Sequence, residues 1–453
     1  MLTSKYSSPD FNPYGDRAST DPDAAWPAPT AAGPLDATLA LPGSKSLTNR
    51  ELVLAALADE PSLLRSPLHS QDTANMARAL TSLGARIEEV AGNGAFGKDW
   101  LVTPGELIGS TTVDCGQAGT VMRFVPPVAA LALGPTTFDA DDSARGRPMS
   151  AMIGGLRAIG ADINDDGRGS LPFTVHGTGH VAGGEVTIDA SASSQFVSAL
   201  LLSGPRFDDG LLLTHSGSRL PSLPHIEMTI ATLSGRGIEV ESPAVGQWRV
   251  GSGTIAGATV DIEPDLSNAA PFLAAALVTG GRVTITGWPE TTTQVGADLI
   301  DLLPLFGANV ERHDDRLTVT GGGALTGVEL DLSTGGELAP TIVAIAALAE
   351  SPSTITGIGH IRFHETDRLA ALANELNALG GNVSELEDGL RIEPRPLHGG
   401  LWHSYHDHRM ATAGAIIGLA VEGVGIENVR TTAKTLPQFT ELWHTMLTGS
   451  RAS

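Results

Sequence analysis

The chain has 453 residues, 41% of them hydrophobic and 17% charged, a composition typical of a globular protein and not of a disordered one. This length exceeds what one hydrophobic core supports, so at least two domains are expected. The formal net charge of −23 argues against a partner that is a nucleic acid or an anionic membrane surface.

Cysteine content and hydropathy narrow the class of protein further. Because Cys115 is the single cysteine, an internal disulfide and a zinc site built from several cysteines are both excluded. No apolar run reaches the roughly 18–20 residues that span a bilayer, and the N-terminal residues lack a basic-then-apolar signal. A cytoplasmic location is therefore expected.

Residues 1–33 are rich in Pro, Ala, Ser and Asp without an apolar period, which predicts a disordered tail. The rest of the chain repeats one pattern, in which a helical apolar stretch ends at a glycine suited to a left-handed cap and a strand follows. Its copies are LTSLGARI (80–87), LRAIGADI (156–163), LSGRGIEV (233–240), LPLFGANV (303–310) and LNALGGNV (376–383). With a sixth stretch at 413–426, they predict six α/β units in two domains of three. The alternative is that this pattern is only a common way to end a helix.

The stretch LPGSKSLTNRELVLAALA (41–58) contains one of the chain's four lysines. A nucleotide-binding Walker A loop is excluded, because a serine separates Gly43 from Lys45. What remains is a turn into a helix whose first turn carries Lys45 and Ser46, with Arg50 one turn later. This arrangement predicts either an anion site at a helix N-terminus or an exposed helix capped by Ser44.

Four further stretches place small, hydroxyl or basic side chains at expected turns and helix starts. They are DCGQAGTVMRF (114–124) with Gly119 and Arg123, ARGRP (144–148) with Arg145, Arg147 and Pro148 as first helical residue, ASASSQF (190–196) with Ser193, Ser194 and Gln195, and LPSLPHIEMT (220–229) with Ser222. Each is compatible with an anion site and also with an ordinary turn or helix cap.

The C-terminal half carries candidate acids and bases. Glu337 precedes an apolar helix, where it either complements the helix dipole or serves as a base. In HETDRL (364–369), Glu365 and Arg368 are predicted to lie on one helix face, where a structural ion pair is the ordinary interpretation. Lys434 lies in a Thr-rich stretch, where a solvated loop is the alternative.

The segment HSYHDHRM (403–410) raises the question of a metal site, since it contains His403, His406, Asp407 and His408. Arg409 directly follows these side chains and would repel a cation, and no second carboxylate cluster is obvious. No metal is therefore predicted.

In combination, the motifs GSKS-x-x-x-R, AGT-x-x-R, RGRP, SSQF, HETDRL, DHRMA and AKT-x-P make the chain resemble the enolpyruvyl transferase family along nearly its whole length. The resemblance implies a two-domain α/β fold with three βαβαββ units per domain, a hinge, and two crossings of the chain. By similarity, the crossings lie near 43–44 and 261–263. This implies one domain of residues 44–262 and a discontinuous second domain of residues 34–43 and 263–453.

The resemblance also implies an activity. The family's shikimate branch transfers the enolpyruvyl (1-carboxyvinyl) group of phosphoenolpyruvate to the 5-hydroxyl of shikimate 3-phosphate by addition and elimination, on the route to chorismate and aromatic amino acids. No cofactor or metal is implied, the partners are these small molecules alone, and a monomer is expected. Glyphosate is implied as an inhibitor at the phosphoenolpyruvate site.

Two alternatives remain open. A sister transferase acts on UDP-N-acetylglucosamine, but its cysteine lies in a mobile loop, whereas Cys115 here precedes AGT, and the SSQ and HETDR stretches favour shikimate 3-phosphate. A non-catalytic homologue that serves as a binding protein is the second, and the retention of every charged motif argues against it.

Carried over by motif, the resemblance assigns roles to individual residues. Shikimate 3-phosphate would contact Lys45, Ser46, Arg50, Ser193, Ser194, Gln195, Ser222, Glu337 and His364. Phosphoenolpyruvate would contact Lys45, Gly119, Arg147, Gln195, Arg368, Arg409 and Lys434. The catalytic groups would be Glu337 as base for the hydroxyl, Glu365 as second acid–base group, and Lys45 and Lys434 as charge-offsetting cations. The family often has Asp at position 337 and Lys at position 364, so a longer arm and a pH-dependent charge are expected here.

Overall fold

A computed structural model describes residues 25–449. The described residues divide into two units: unit 1 is Gly43–Ile262, and unit 2 combines residues 25–42 with residues 263–449. No helix within this part of the chain has the length and apolarity to cross a membrane.

Both units are built from short strands and helices in alternation. The strands of residues 25–449 are β1 (Trp26–Pro27), β2 (Asp36–Leu39), β3 (Ser62–Arg65), β4 (Arg86–Val90), β5 (Asp99–Thr103), β6 (Thr111–Asp114), β7 (Leu133–Asp139), β8 (Asp162–Asn164), β9 (Phe173–Thr178), β10 (Gly184–Ile188), β11 (Leu211–His215), β12 (Val240–Glu241), β13 (Gln247–Val250), β14 (Thr259–Asp261), β15 (Arg282–Thr286), β16 (Ala308–His313), β17 (Arg316–Gly321), β18 (Glu329–Asp331), β19 (Ser353–Thr356), β20 (Asn382–Leu386), β21 (Gly389–Glu393), β22 (Gly400–Trp402) and β23 (Val424–Ile426). The α-helices are α1 (Lys45–Leu57), α2 (Gln71–Ser82), α3 (Gly119–Ala130), α4 (Asp142–Arg145), α5 (Ser150–Ala158), α6 (Gln195–Ser203), α7 (Leu223–Gly235), α8 (Leu266–Thr279), α9 (Leu299–Leu305), α10 (Ala339–Ala347), α11 (Arg368–Ala378), α12 (His408–Ala420) and α13 (Phe439–Thr448).

The strands form six sheets in the described chain, and this confirms the prediction of six α/β units. Unit 1 has the sheets β14-β3-β5-β4, β6-β7-β9-β8 and β10-β11-β13-β12. Unit 2 has the sheets β2-β15-β17-β16, β18-β19-β21-β20 and the three-stranded β22-β23-β1. In each four-stranded sheet one edge pair is parallel and the other pairs are antiparallel, which is the pattern of a βαβαββ unit.

Each unit has a sheet that takes a strand from far along the chain. β14 is the last strand of unit 1, yet it lies parallel to β3, with Thr259 opposite Leu63. β2 precedes unit 1 in the chain but lies parallel to β15 of unit 2, with Asp36 opposite Arg282. At the first passage between units only glycine fits, because a Cβ on Gly43 would lie 2.3 Å from the Ser66 carbonyl oxygen.

Residues 25–33 belong to unit 2, so the predicted tail of residues 1–33 is wrong for this part. Trp26 pairs with Ile426 in an antiparallel register, and the Ala28 amide donates to the Val424 carbonyl at 2.9 Å. The Trp26 ring also packs edge-on against Phe439. Composition misled the prediction, because strand pairing uses backbone groups and needs no apolar period. Residues 1–24 of that prediction lie outside the described residues.

The five glycines that were predicted to end helices all have positive φ, between 79° and 116°. They are Gly84, Gly160, Gly237, Gly307 and Gly380. A side chain would be strained in this conformation, which explains why one residue type recurs at each helix exit.

Several helices lie largely buried: α1, α3 and α6 in unit 1, and α8, α10 and α12 in unit 2. Their polar residues concentrate at or just before their N-termini, where backbone N–H groups and the positive end of the dipole favour anions. Recognised motifs lie at the starts of α1, α3, α6, α10 and α12, and others lie at the starts of α7 and α11.

Candidate active site

Helix α1 begins at Lys45, and Ser44 caps it as one interpretation of the sequence expects, although the helix is buried and not exposed. The Ser44 Oγ accepts a hydrogen bond from the Leu47 amide at 3.4 Å and so caps the helix. Lys45 Nζ lies 3.6 Å from the Asp72 Oδ2 of helix α2, and Asp72 is buried while Lys45 is partly exposed. Asp72 was missed from the sequence, because an acid in the first turn of a helix is common.

Arg50 is buried within unit 1 and joins α1 to α7. Its Nε donates to Thr229 Oγ1 at 2.8 Å, and its Nη2 donates to the His225 carbonyl at 2.9 Å. Its Nη1 donates to the Ser46 carbonyl at 3.0 Å, and the guanidinium lies over the Phe124 ring. Arg50 therefore fixes the backbone of Ser46.

Two arginines and a glutamine converge on Gly119, the first residue of α3. A Cβ at Gly119 would lie 3.1 Å from Arg123 Nη1, 3.6 Å from Gln195 Oε1 and 3.9 Å from Arg147 Nη1. Arg123 Nη1 also donates to Gln195 Oε1 at 2.7 Å. The absence of a side chain at position 119 keeps these groups open to a neighbour.

The two guanidiniums of this cluster are buried together. Burial, together with the charge of Arg147, lowers the pKa of Arg123 to about 9. Arg147 Nη1 donates to the Gln117 carbonyl at 2.8 Å. Within residues 25–449, the Nε atoms of Arg123 and Arg147 have no hydrogen-bond partner. A buried pair of like charges with unused donors favours an anion.

The prediction for the residues flanking Arg147 was wrong in detail. Pro148 is not the first helical residue, since α5 begins at Ser150. Arg145 ends the short helix α4, is exposed, and pairs with Asp139 at 2.8 Å. Only Arg147 of the two arginines reaches the cluster.

Serine hydroxyls lie at the starts of α6 and α7. Ser194 and Ser222 are the N-cap residues, yet neither side chain accepts a bond from its helix. Ser193 Oγ accepts a hydrogen bond from the Gln195 amide at 3.3 Å. Ser222 has φ +53°, a conformation that is rare for residues with a side chain and occurs at functional sites.

A buried carboxylate in unit 2 is paired with two basic groups. Glu365 Oε1 lies 2.9 Å from Lys434 Nζ, and Glu365 Oε2 lies 3.0 Å from His408 Nδ1. Burial opposes the ionisation of Glu365, but His408, Lys434 and Arg368 outweigh it and hold its pKa well below the usual value. Burial lowers the pKa of His408, and the charge of Arg409 adds to this effect. Lys434 is thus buried at the end of the 3-10 helix Val429–Lys434, not in a solvated loop.

The prediction that Glu365 and Arg368 share a helix face was wrong. Helix α11 begins at Arg368, and Asp367 caps it by accepting from the Ala370 amide at 3.1 Å. Glu365 therefore lies in the turn before the helix, and this turn carries it to Lys434.

Arg368 is held by a buried aspartate. Its Nε and Nη2 donate to the two oxygens of Asp407 at 2.8 and 3.0 Å. Asp407 also caps α12 by accepting from the Arg409 amide at 2.9 Å. Arg368 Nη1 lies 3.2 Å from His364 Nδ1.

Glu337 lies in the 3-10 turn Gly336–Leu338 just before α10, as its motif predicts. Its Oε2 lies 3.8 Å from Arg409 Nη2, and its Oε1 accepts a hydrogen bond from Ser267 Oγ. Arg409 Nη1 in turn donates to the Ser267 carbonyl at 2.8 Å. Ser267 in the first turn of α8 was not predicted, since 70 residues separate it from Glu337.

Glu365, Asp407 and His408 offer ligand atoms within 4.8 Å of one another and could in principle hold a metal ion. Two cations already contact the same carboxylates, Lys434 on Glu365 and Arg368 on Asp407. Because these cations offset the negative charge of the carboxylates, the cluster does not favour a divalent cation.

Comparison with solved structures defines the fold. Two structures of EPSP synthase from Acinetobacter baumannii, one at 2.37 Å, match with a TM-score of 0.75. They are 24% and 23% identical, and the matches cover 93% of this chain and 97% and 98% of theirs. The chain therefore has the two-domain α/β fold of these synthases, with cations and carboxylates at the helix starts.

Sequence comparison identifies the family. The model of the EPSP synthase (3-phosphoshikimate 1-carboxyvinyltransferase) family matches residues 29–443. A 3-phosphoshikimate 1-carboxyvinyltransferase of Kocuria rhizophila is 56% identical over 427 residues, which are 93% of this chain and 96% of that protein. The chain belongs to the EPSP synthase family. It is a 1-carboxyvinyltransferase of the shikimate pathway, as the motifs predict.

Proposed function

We propose that the clusters at the helix starts carry out this transfer, from phosphoenolpyruvate to the 5-hydroxyl of shikimate 3-phosphate, by addition and elimination without a cofactor or metal. The observation that supports this most is the buried pair Arg123 and Arg147 around Gly119. Both substrates are phosphorylated carboxylates, and such anions match buried guanidiniums with unused donors.

The hydroxyl-rich helix starts of unit 1 suit the acceptor substrate. We assign to shikimate 3-phosphate the residues Lys45, Ser46, Arg50, Ser193, Ser194, Gln195, Ser222, Glu337 and His364. Ser194 and Ser222 are N-cap residues whose hydroxyls do not cap, which supports a role in phosphate binding. Arg50 contributes by holding Ser46 in position.

Phosphoenolpyruvate is assigned to Lys45, Gly119, Arg147, Gln195, Arg368, Arg409 and Lys434. Glycine at position 119 lets an anion approach the two guanidiniums closely. Asp407 holds Nε and Nη2 of Arg368, while Arg368 Nη1 lies beside His364.

In the addition step, the 5-hydroxyl oxygen attacks C2 of phosphoenolpyruvate and its proton passes to Glu337. Arg409 and Ser267 hold the Glu337 carboxylate in place for this transfer. The negative charges of bound phosphoenolpyruvate raise the proton affinity of Glu365, which therefore takes up a proton. Glu365 then donates this proton to the methylene carbon. The product is a tetrahedral intermediate.

In the elimination step, a proton leaves the new methyl group for Glu365 and the bond from C2 to the phosphate oxygen breaks. The proton on Glu337 leaves with the phosphate, so both glutamates regain the protonation states that they had before the addition step. Lys45 and Lys434 offset the charge on the intermediate and on the departing phosphate.

The proposed enzyme is a cytoplasmic monomer with these small molecules as its partners and without a nucleic-acid or membrane partner. Its net charge of −23 argues against a nucleic-acid partner and against an anionic membrane surface. Sedimentation velocity should give the mass of one chain.

The assignment of Arg147 is tested by comparing Arg147→Lys with Arg145→Lys. A lysine at 147 keeps the charge but loses the fork of donors, so the KM for phosphoenolpyruvate should rise about tenfold or more. Arg145 is exposed and pairs with Asp139, so its variant should behave as the wild type. Equal effects of the two substitutions would contradict the assignment.

A further inference from the structure

The segment His403–Asp407 connects β22 to α12 through an unfavourable backbone conformation. Tyr405 has φ +54° and His406 has φ +55°, so two consecutive residues with side chains lie in the left-handed region. Residues other than glycine rarely adopt this region, and they remain there only when surrounding contacts hold them.

Those contacts come from Glu375, a buried residue of helix α11. Its carboxylate accepts hydrogen bonds from the His403 amide at 2.8 Å and from the Tyr405 hydroxyl at 2.6 Å. His403 Nδ1 lies 3.1 Å from the same carboxylate. Burial and the bond to Glu375 raise the pKa of Tyr405 to about 12, so its hydroxyl remains a donor at neutral pH.

The same helix also holds the other end of the segment. Arg368, the first residue of α11, binds both oxygens of Asp407, and Asp407 caps α12 at the Arg409 amide. Arg368 and Glu375 are seven residues apart, which places them on one face of the helix. The segment is therefore bound to α11 at its start and at its end.

We propose that Glu375 is a positioning residue for phosphoenolpyruvate binding. It holds the segment His403–Asp407 in its left-handed conformation and thereby sets Asp407, which orients Arg368 and the start of α12 with Arg409. The inference rests on the proposed function, because that function assigns the phosphoenolpyruvate contacts to Arg368 and Arg409.

The first test is Glu375→Gln, which keeps the shape of the side chain. The amide offers one acceptor oxygen in place of two and turns an NH₂ group toward donors. The KM for phosphoenolpyruvate should rise about tenfold, and the KM for shikimate 3-phosphate should stay within about twofold. If this variant fails to fold, Tyr405→Phe removes one donor alone and should raise the same KM about threefold.

Asn377→Ala is the matched control on the same helix. Asn377 joins α11 to β20 through bonds to the Val383 carbonyl and amide at 2.9 and 2.8 Å. Its loss should lower the thermal midpoint but leave both KM values unchanged. A rise in the KM for phosphoenolpyruvate in both variants would reduce Glu375 to a structural role and overturn the proposal.

A rescue experiment separates positioning from general damage. Glycine adopts positive φ readily, so adding His406→Gly to Glu375→Gln should favour the native conformation and lower the KM for phosphoenolpyruvate again. No recovery in the double variant would overturn the proposal. Arg409→Lys tests the underlying function separately: if it leaves the KM for phosphoenolpyruvate unchanged, the proposed function fails, and if it alone raises that KM, only the role of Glu375 fails.

Discussion

Lys45 and Lys98 show how surroundings separate two members of a rare residue type. Lys45 begins helix α1 beside the buried Asp72, whereas Lys98 is 54% exposed and pairs with Glu89 at 3.1 Å. The rarity of lysine in the chain does not distinguish these two residues. The prediction that Lys45 contacts the substrates rests on the motif around it.

Lys45→Met should lower kcat by about 10²–10³-fold while the thermal midpoint stays near that of the wild type, because a cation that offsets developing charge is lost. Lys98→Met is the matched control and should retain full activity. Steady-state kinetics and thermal unfolding of both variants provide the measurement. Near-normal turnover of Lys45→Met would mean that the helix start has only a structural role.

Gly119→Ala should weaken both phosphoenolpyruvate binding and inhibition by glyphosate. The added Cβ would lie 3.1 Å from Arg123 Nη1, in the space that an anion needs. The KM for phosphoenolpyruvate and the inhibition constant for glyphosate should therefore each rise about tenfold. Gly154→Ala in α5 is the control, since its Cβ would meet nothing within 4 Å. Unchanged constants for Gly119→Ala would show that this turn does not face the substrate.

At the scale of elements, the starts of buried helices carry most of the site. Motifs at these starts are local in sequence, so they could be predicted from it, as could the glycines that end the helices. The partners that complete the site could not. Asp72 lies 27 residues from Lys45 and Ser267 lies 70 residues from Glu337, and only the packing of different helices brings them together.

The start of α11 shows a second limit of sequence patterns. Spacing placed Glu365 and Arg368 on one helix face, but the capping bond of Asp367 starts the helix at Arg368. The prediction of a disordered tail over residues 25–33 was also wrong, because the backbone pairing of β1 leaves no trace in composition.

The start of α12 should make stability depend on pH. Burial lowers the pKa of His408 below its value in the unfolded chain, so the unfolded chain binds more protons as the pH falls below about 6.5. The free energy of unfolding should therefore fall on acidification through this window, and it should fall less steeply in His408→Asn. Urea unfolding at several pH values between 7.5 and 5.5 measures both slopes. Equal slopes would contradict the lowered pKa of His408.

At the scale of the whole molecule, charge is divided unevenly. The chain has a net charge of −23, yet the arginines and lysines of the candidate site are largely buried. Anion attraction is therefore expected to act locally, through desolvated donors, and not through a long-range positive field.

The most direct test of the account is phosphate release from phosphoenolpyruvate by the purified chain, measured with shikimate 3-phosphate and, in parallel, with UDP-N-acetylglucosamine. We expect stoichiometric phosphate release with shikimate 3-phosphate, none with UDP-N-acetylglucosamine, and loss of the first signal in Lys45→Met. An absence of phosphate release with shikimate 3-phosphate, or equal release with both acceptors, would contradict the account.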